Sequence, residues 1–154
     1  MPRVTSILPP GHGRGLPYDT VTLDSDARRL RRKLLRLSGG DEVMIDLPQT
    51  VTLEHGSGLE LDDGRIAGII AADELLYEVR ARDTAHLLRL AWHIGNRHTP
   101  AQLEQTRILI RRDHVLKTML EGLGASIANV TEPFSPEHGA YHSHGPHSHA
   151  LLSR

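Results

Sequence analysis

Five histidines lie within twelve residues near the end of the 154-residue chain, in the stretch EHGAYHSHGPHSHA (137–150). They are His138, His142, His144, His147 and His149. Neutral imidazole offers a lone pair that suits borderline divalent ions such as nickel, copper and zinc. Pairs separated by one residue can close around one ion, while the intervening glycine, serine and proline keep the site open. The irregular spacing also differs from the unbroken run of a cloning tag. The stretch therefore predicts a flexible, histidine-rich tail that binds metal labilely.

Three more histidines mark a second candidate site, at His93, His98 and His114. His93 and His98 would point about 140° apart on a continuous helix, so they cannot chelate one ion from the same face. We interpret His93 as structural and expect His98, in GNRHTP, to be exposed at a helix end. His114 begins the next predicted helix and is either a surface histidine or a ligand. One exposed imidazole holds a metal weakly, but a two-fold axis of a homodimer near His98 would supply two.

The overall composition argues against several function classes. There are 18 basic and 19 acidic side chains, few aromatic residues and no cysteine. Near-zero net charge and scarce aromatics disfavour nucleic acid and membranes as partners. We predict no enzyme, because signatures such as H-E-x-x-H, G-x-S-x-G and the P-loop are absent. The start of the chain lacks the apolar run of a signal peptide, and no stretch is long enough for a membrane span, so we expect a cytoplasmic protein.

The first half of the chain, residues 1–73, predicts a small β domain. We expect a short strand at 4–8 in an extended lead-in, and a hairpin of strands at about 30–37 and 42–47 around Ser-Gly-Gly-Asp. Further strands are predicted at TVTLEHG and after the Asp-Gly turn at 63–64. The basic run from Arg28 to Arg36 is interpreted as a solvated strand face, with a partner-binding patch as the alternative.

The second half, residues 74–133, changes to a β-α-β-β-α-β order. ELLYEVRA, QLEQ, RILIRR and ASIANVTE are predicted strands. Asp83 and Asp113 are the predicted N-caps of two helices, and Gly124 suits a left-handed C-cap. This order predicts a ferredoxin-like antiparallel sheet with both helices on one face, giving an α+β protein overall. Residues 134–154 form the histidine-rich tail.

Two of these segments carry a family resemblance. WHIGNRHTP, followed by LIRRDHVLKTMLEGLGA, resembles the paired motifs of the UreE family, the nickel metallochaperones that assist urease assembly. The interval between His98 and His114 matches that of the family, as do the N-terminal β domain, the ferredoxin-like domain and the histidine-rich tail. The resemblance covers essentially the whole chain.

The resemblance implies roles that the residues alone do not fix. It implies Ni(II) as cargo, with His98 from both subunits of a homodimer as the principal ligand and His114 as a peripheral one. Some members carry a further histidine where this chain has Arg112. The resemblance implies metal binding by the tail histidines as a group, without assigning a role to any one of them: His142, His144, His147 and His149. A UreG-type GTPase and the apo-urease accessory complex are the implied partners, and a metal-dependent tetramer is a further expectation.

Two alternative functions remain open at this stage. A nickel or zinc buffer without a delivery role would need the same histidine tail. An RNA-binding module would share the βαββαβ order, but it would need stacking aromatics and basic residues on the central strands.

Overall fold

The computed structural model describes residues 1–138. It divides the chain into two compact units, the first comprising Met1–Ala72 and the second beginning at Asp73. In residues 1–138 no helix is long and apolar enough to cross a membrane.

The first unit is built from two small sheets. Its elements are β1 (Val4–Leu8), β2 (Asp19–Leu23), α1 (Ser25–Arg28), β3 (Arg29–Arg36), β4 (Glu42–Thr52), β5 (Gly58–Leu61) and β6 (Ile66–Ala71). One sheet has the order β1-β5-β6-β2, in which β2 and β6 run parallel, and β3 and β4 form a separate antiparallel hairpin. Alternating apolar residues such as Val43, Ile45 and Leu59 are fully buried between them.

The predicted hairpin is confirmed, but the sequence prediction divided its second strand wrongly. β4 continues through Pro48 to Thr52, so the separate strand expected at TVTLEHG is the end of β4. The register shifts between Leu30 and Arg32 on the opposite strand, which leaves an irregular stretch of β4 around Pro48. A proline, which has no N–H, is tolerated in such an interruption of the ladder. Strand β2 lies within and just beyond the stretch that we expected to be an extended lead-in.

The second unit has the predicted order and topology. Its elements are β7 (Asp73–Arg80), α2 (Thr84–Asn96), β8 (Gln102–Leu103), β9 (Ile108–Arg111), α3 (His114–Gly122) and β10 (Ser126–Pro133). The sheet order is β10-β7-β9-β8, with every neighbouring pair antiparallel. This is the ferredoxin-like arrangement.

Two apolar clusters cover the two faces of this sheet. On one face Tyr77, Val79 and Ile108 pack with Leu90 of α2 and Leu120 of α3, so both helices lie on the same face. On the other face Leu76 and Leu109 pack with Phe134, which follows β10. β9 is therefore buried on both faces, since Ile108, Leu109 and Ile110 are all buried. Val115, in the first turn of α3, is 63% exposed.

Candidate metal site

Helix α2 begins as its sequence predicts. The carboxylate of Asp83 accepts a hydrogen bond from the His86 N–H (2.8 Å), which satisfies one of the free donors of the first turn. Leu87, Leu90 and Ile94 follow at helical spacing and are buried against the sheet. This packing fixes the helix whose far end carries His98.

The C-terminus of α2 is a Schellman motif with a histidine in the usual glycine position. The Thr99 N–H donates to the Ile94 carbonyl (3.3 Å), and the His98 N–H donates to the Gly95 carbonyl (2.9 Å). His98 has φ 57°, the one positive φ among non-glycine residues of the described chain. The helix ends at Asn96, directly after Gly95, and the left-handed residue that follows is His98.

His98 is solvent-exposed on this turn. A left-handed conformation of a non-glycine residue costs about 1 kcal/mol or more, and such costs concentrate at functional positions. The neighbouring hydrogen bonds use the His98 backbone and leave the imidazole outside the helix. An exposed imidazole at a fixed backbone position can ligate an ion that other groups also contact.

His114 is the first residue of α3, directly after the N-cap Asp113. Its side chain is exposed, and its carbonyl accepts a hydrogen bond from Thr118 Oγ1 (3.0 Å). Because β8 starts where β9 ends, the end of α2 and the start of α3 lie at the same end of the sheet. His98 and His114 are thus on the same side of the second unit.

Arg112 lies between β9 and α3, two residues before His114. Its guanidinium donates from Nε to the Leu76 carbonyl (3.1 Å) and from a terminal nitrogen to the Val130 carbonyl (3.1 Å). The side chain therefore joins β7 and β10 at their backbones. A permanently charged arginine cannot ligate a cation, so this chain uses the position structurally.

His86 is a structural histidine that the sequence reasoning missed. It is only 5% exposed. Its Nδ1 accepts a hydrogen bond from the Arg82 N–H (3.0 Å), and its Nε2 lies 2.8 Å from the Leu123 carbonyl, to which it must donate. Both ring nitrogens are used in linking the start of α2 to the end of α3. Its position three residues after the N-cap Asp83 was the available signal.

His93 is half-buried on α2 and makes an edge-on contact with the neighbouring Trp92 ring (centroids 5.1 Å apart). This contact accords with our interpretation of His93 as structural.

Within residues 1–138 no three histidine, aspartate or glutamate side chains are grouped closely enough to hold a metal ion. The tail residues His142, His144, His147 and His149 lie outside the described part of the chain. Each described protomer therefore presents His98 and His114 as separate exposed imidazoles.

The helix-free face of the sheet carries an ion-pair cluster centred on Arg107. Its guanidinium contacts Glu132 (2.6 Å), Glu104 (3.0 Å) and Glu78 (3.0 Å). Hydrogen bonds to Glu132 and then Glu104 raise the pKa of Arg107, while hydrogen bonds from Arg80 and then Arg107 lower the pKa of Glu78. The face is thus closed by paired charges and the buried Phe134 ring, and differs from the open aromatic platform that an RNA-binding module needs.

A β domain followed by a ferredoxin-like domain places the chain in a class of two-domain α+β proteins. The family model described as the UreE urease accessory protein N-terminal domain matches residues 4–72, and the model of the C-terminal domain matches residues 74–152. The chain belongs to the UreE urease accessory protein family, whose members are accessory proteins and not enzymes.

Three curated relatives are similar in sequence to this chain along most of its length. The Urease accessory protein UreE of Rhizobium leguminosarum bv. trifolii (strain WSM2304) is 54% identical over 97% of this chain and 77% of its own length. That of Chelativorans sp. (strain BNC1) is 58% identical over 86% of this chain and 85% of its own. That of Rhizobium meliloti (strain 1021) is 52% identical over 96% of each.

Proposed function

We propose that this protein is a homodimeric nickel metallochaperone that binds Ni(II) through His98 and its tail and delivers it for assembly of the urease active site. The observation that carries the proposal is the exposed His98 at φ 57°, a position where glycine would be less strained. The name shared by the relatives, Urease accessory protein UreE, supplies the biological context.

The proposed coordination is shared between groups. His98 of each subunit supplies one imidazole to the same ion, and His142, His144, His147 and His149 complete or exchange ligands around it. His114 acts as a peripheral ligand on the same side of the unit. Zinc and copper compete for these sites, because imidazole suits all three ions.

Exposed apolar side chains on α2 support the dimer. Leu88 and Trp92 are four residues apart, lie on one face of the helix, and are 67% and 64% exposed. Large apolar groups left in water commonly mark an interface. An isologous contact whose two-fold axis passes near the C-terminal end of this face would bring the two His98 turns together. A tetramer follows if ions bridge two such dimers.

In this proposal, three consecutive segments of the chain have separate roles. Residues 1–73 contact the urease accessory complex, residues 74–133 dimerise and hold the principal ion, and residues 134–154 gather ions. A UreG-type GTPase supplies the energy for delivery, and the exchange takes place in the cytoplasm. Neither nucleic acid nor membrane is a partner.

Nickel titration by calorimetry of three proteins tests the site: the wild type, His98→Ala and His93→Ala. We expect His98→Ala to weaken the tightest site at least about tenfold, a loss of about 1.4 kcal/mol. His93→Ala should leave that site unchanged. Unaltered affinity in His98→Ala would refute the assignment.

Two further measurements test the dimer and the delivery. Trp92→Glu should lower the mass measured by light scattering toward that of a monomer, whereas Arg89→Glu, an already polar position, should not.

Apo-urease activation should proceed faster from the nickel-loaded protein than from the same concentration of free nickel. Equal rates would favour the storage alternative over delivery.

A further inference from the structure

The segment that follows β10 crosses the sheet. Phe134 is fully buried against Leu76 of β7, Leu109 of β9 and Val130. The guanidinium carbon of Arg111 lies 5.2 Å from the centroid of its ring. An aromatic side chain buried this completely fixes the direction in which the chain leaves the last strand.

Two hydrogen bonds then fasten the same segment to the opposite edge strand. The Ser135 N–H donates to Gln102 Oε1 (2.8 Å), and the Glu137 N–H donates to the Ala101 carbonyl (2.7 Å). Gln102 is the first residue of β8, while the segment comes from β10. These strands are the two edges of the four-stranded sheet, about 14 Å apart at normal strand spacing.

This crossing ends beside the turn that carries His98. Ala101 follows His98 by three residues, which span at most about 11 Å. Glu137 is hydrogen-bonded to Ala101, and the histidine-rich stretch begins at the next residue, His138. A tail leaving directly from Pro133 would start at the far edge of the sheet instead.

We propose that Phe134–Glu137 is a latch that holds the root of the tail beside the His98 turn of the same protomer. The inference rests on the proposed function, and it makes Phe134 and the Glu137 N–H positioning groups for nickel. The latch moves the last fastened residue from Pro133 to Glu137, so His142 follows it by five residues instead of nine. Effective concentration scales with about the −3/2 power of linker length, so the latch raises it roughly two- to threefold.

Glu137→Pro is the sharpest variant, because it removes the N–H that bonds Ala101 and leaves Phe134 in place. Glu137→Ala is its matched control, because it keeps that N–H. Both are compared by nickel titration in the full-length chain and in a full-length chain whose His142, His144, His147 and His149 are replaced by alanine.

We expect Glu137→Pro to weaken nickel binding at the His98 site about two- to threefold when the tail histidines are present. It should have no effect when they are absent, and Glu137→Ala should have no effect in either background. Equal weakening in both backgrounds would mean a merely structural role and would overturn the latch. No weakening in either background would overturn it as well.

Hydrogen exchange without nickel separates this proposal from the proposed function. The Ser135 amide should exchange slowly in the wild type and in Glu137→Ala, and faster in Gln102→Leu, which removes its acceptor. Fast exchange in the wild type would overturn the latch whatever the metal data show. If Ser135 is protected but His98→Ala keeps the tightest site, the metal assignment fails and the anchored segment stands.

Discussion

The two helices of the second unit end in the same motif, but with different residues in the left-handed position. At the end of α3 the Ala125 N–H donates to the Leu120 carbonyl (3.0 Å) and Gly124, at φ 91°, donates to Glu121 (3.0 Å). At the end of α2 the equivalent bonds surround His98, at φ 57°. Glycine adopts this conformation without a steric penalty, whereas histidine does not.

The two turns also differ in how closely other residues pack against them. A Cβ at Gly124 would lie 3.0 Å from an Arg82 terminal nitrogen and 3.6 Å from the His86 ring, so the α3 turn is packed against the start of α2. The α2 turn presents His98 to solvent. The end of α3 has the residue type that suits the left-handed position, whereas the end of α2 has a strained histidine that is exposed to solvent. Backbone strain therefore distinguishes His98 from the other histidines of the described residues.

The largest effect is expected at the histidine that supports the α3 turn. His86→Ala removes two hydrogen bonds and leaves a small cavity, so we expect a loss of about 3 kcal/mol in the free energy of unfolding. Urea unfolding measures it, with His93→Ala as the control that should lose less than about 1 kcal/mol. Nickel affinity of the folded protein should not change. If His86→Ala were as stable as the wild type, the α3 turn would not depend on this ring.

A smaller loss is expected at the glycine itself. Gly124→Ala forces a side chain into the left-handed region and toward Arg82, so unfolding should be easier by about 1–2 kcal/mol. Arg82→Ala in the same protein should recover only the part that comes from the close contact. A thermal melt equal to that of the wild type would show that the turn tolerates a Cβ without cost.

Nickel could be released at low pH for two reasons: the ligand histidines become protonated, or the protein unfolds. The stability of the protein in acid distinguishes the two. The pKa of Glu78 is lowered by hydrogen bonds from Arg80 and Arg107, so the folded state gains stability from its ionised form. That gain is complete above the ordinary glutamate pKa of 4.5 and is lost as the pH falls through the lower folded value. We expect a loss of about 1 kcal/mol below pH 4.5, and less in Glu78→Gln.

Denaturant unfolding at pH 7, 5.5 and 3.5 checks this prediction. Nickel affinity should already fall at a higher pH than the one at which the protein unfolds, because a protonated imidazole cannot bind a metal ion. Nickel release that coincided with unfolding would weaken the case for histidine ligation.

The smallest expected effect has the opposite sign. His98→Gly relieves the left-handed strain, and we expect the protein to gain about 0.5–1 kcal/mol of stability while nickel affinity falls. His98→Ala retains a Cβ and should lose the metal site without that gain. Unfolding midpoints of the three proteins decide the matter, and a less stable His98→Gly would remove the argument that strain is kept for function.

The order of elements in the second unit was predictable because each boundary has a local signal. Asp83 and Asp113 cap their helices through their own side chains, and Gly124 ends α3. The exposed position of His98 followed from the departure of GNRHTP from a helical pattern. These features depend on residues that are neighbours in the sequence.

Other features depend on distant contacts and could not be predicted. The burial of Leu109 on the second face of the sheet requires Phe134, 25 residues further along the chain. The role of His86 requires the Leu123 carbonyl, 37 residues away. The continuity of β4 past Pro48 depends on the register of the opposite strand. Roles of His98, His114 and the tail histidines in binding metal remain predictions.

The turn around His98 has a further consequence for how quickly an ion can come and go. Because two main-chain hydrogen bonds already set the path of the backbone, ion binding at the proposed site would restrict little more than the two side-chain torsions of the His98 imidazole. The conformational-entropy cost of immobilising the His98 side chain is then below about 2 kcal/mol, the upper end for any side chain. Exchange of an ion at the proposed site would therefore require no rearrangement of helix α2.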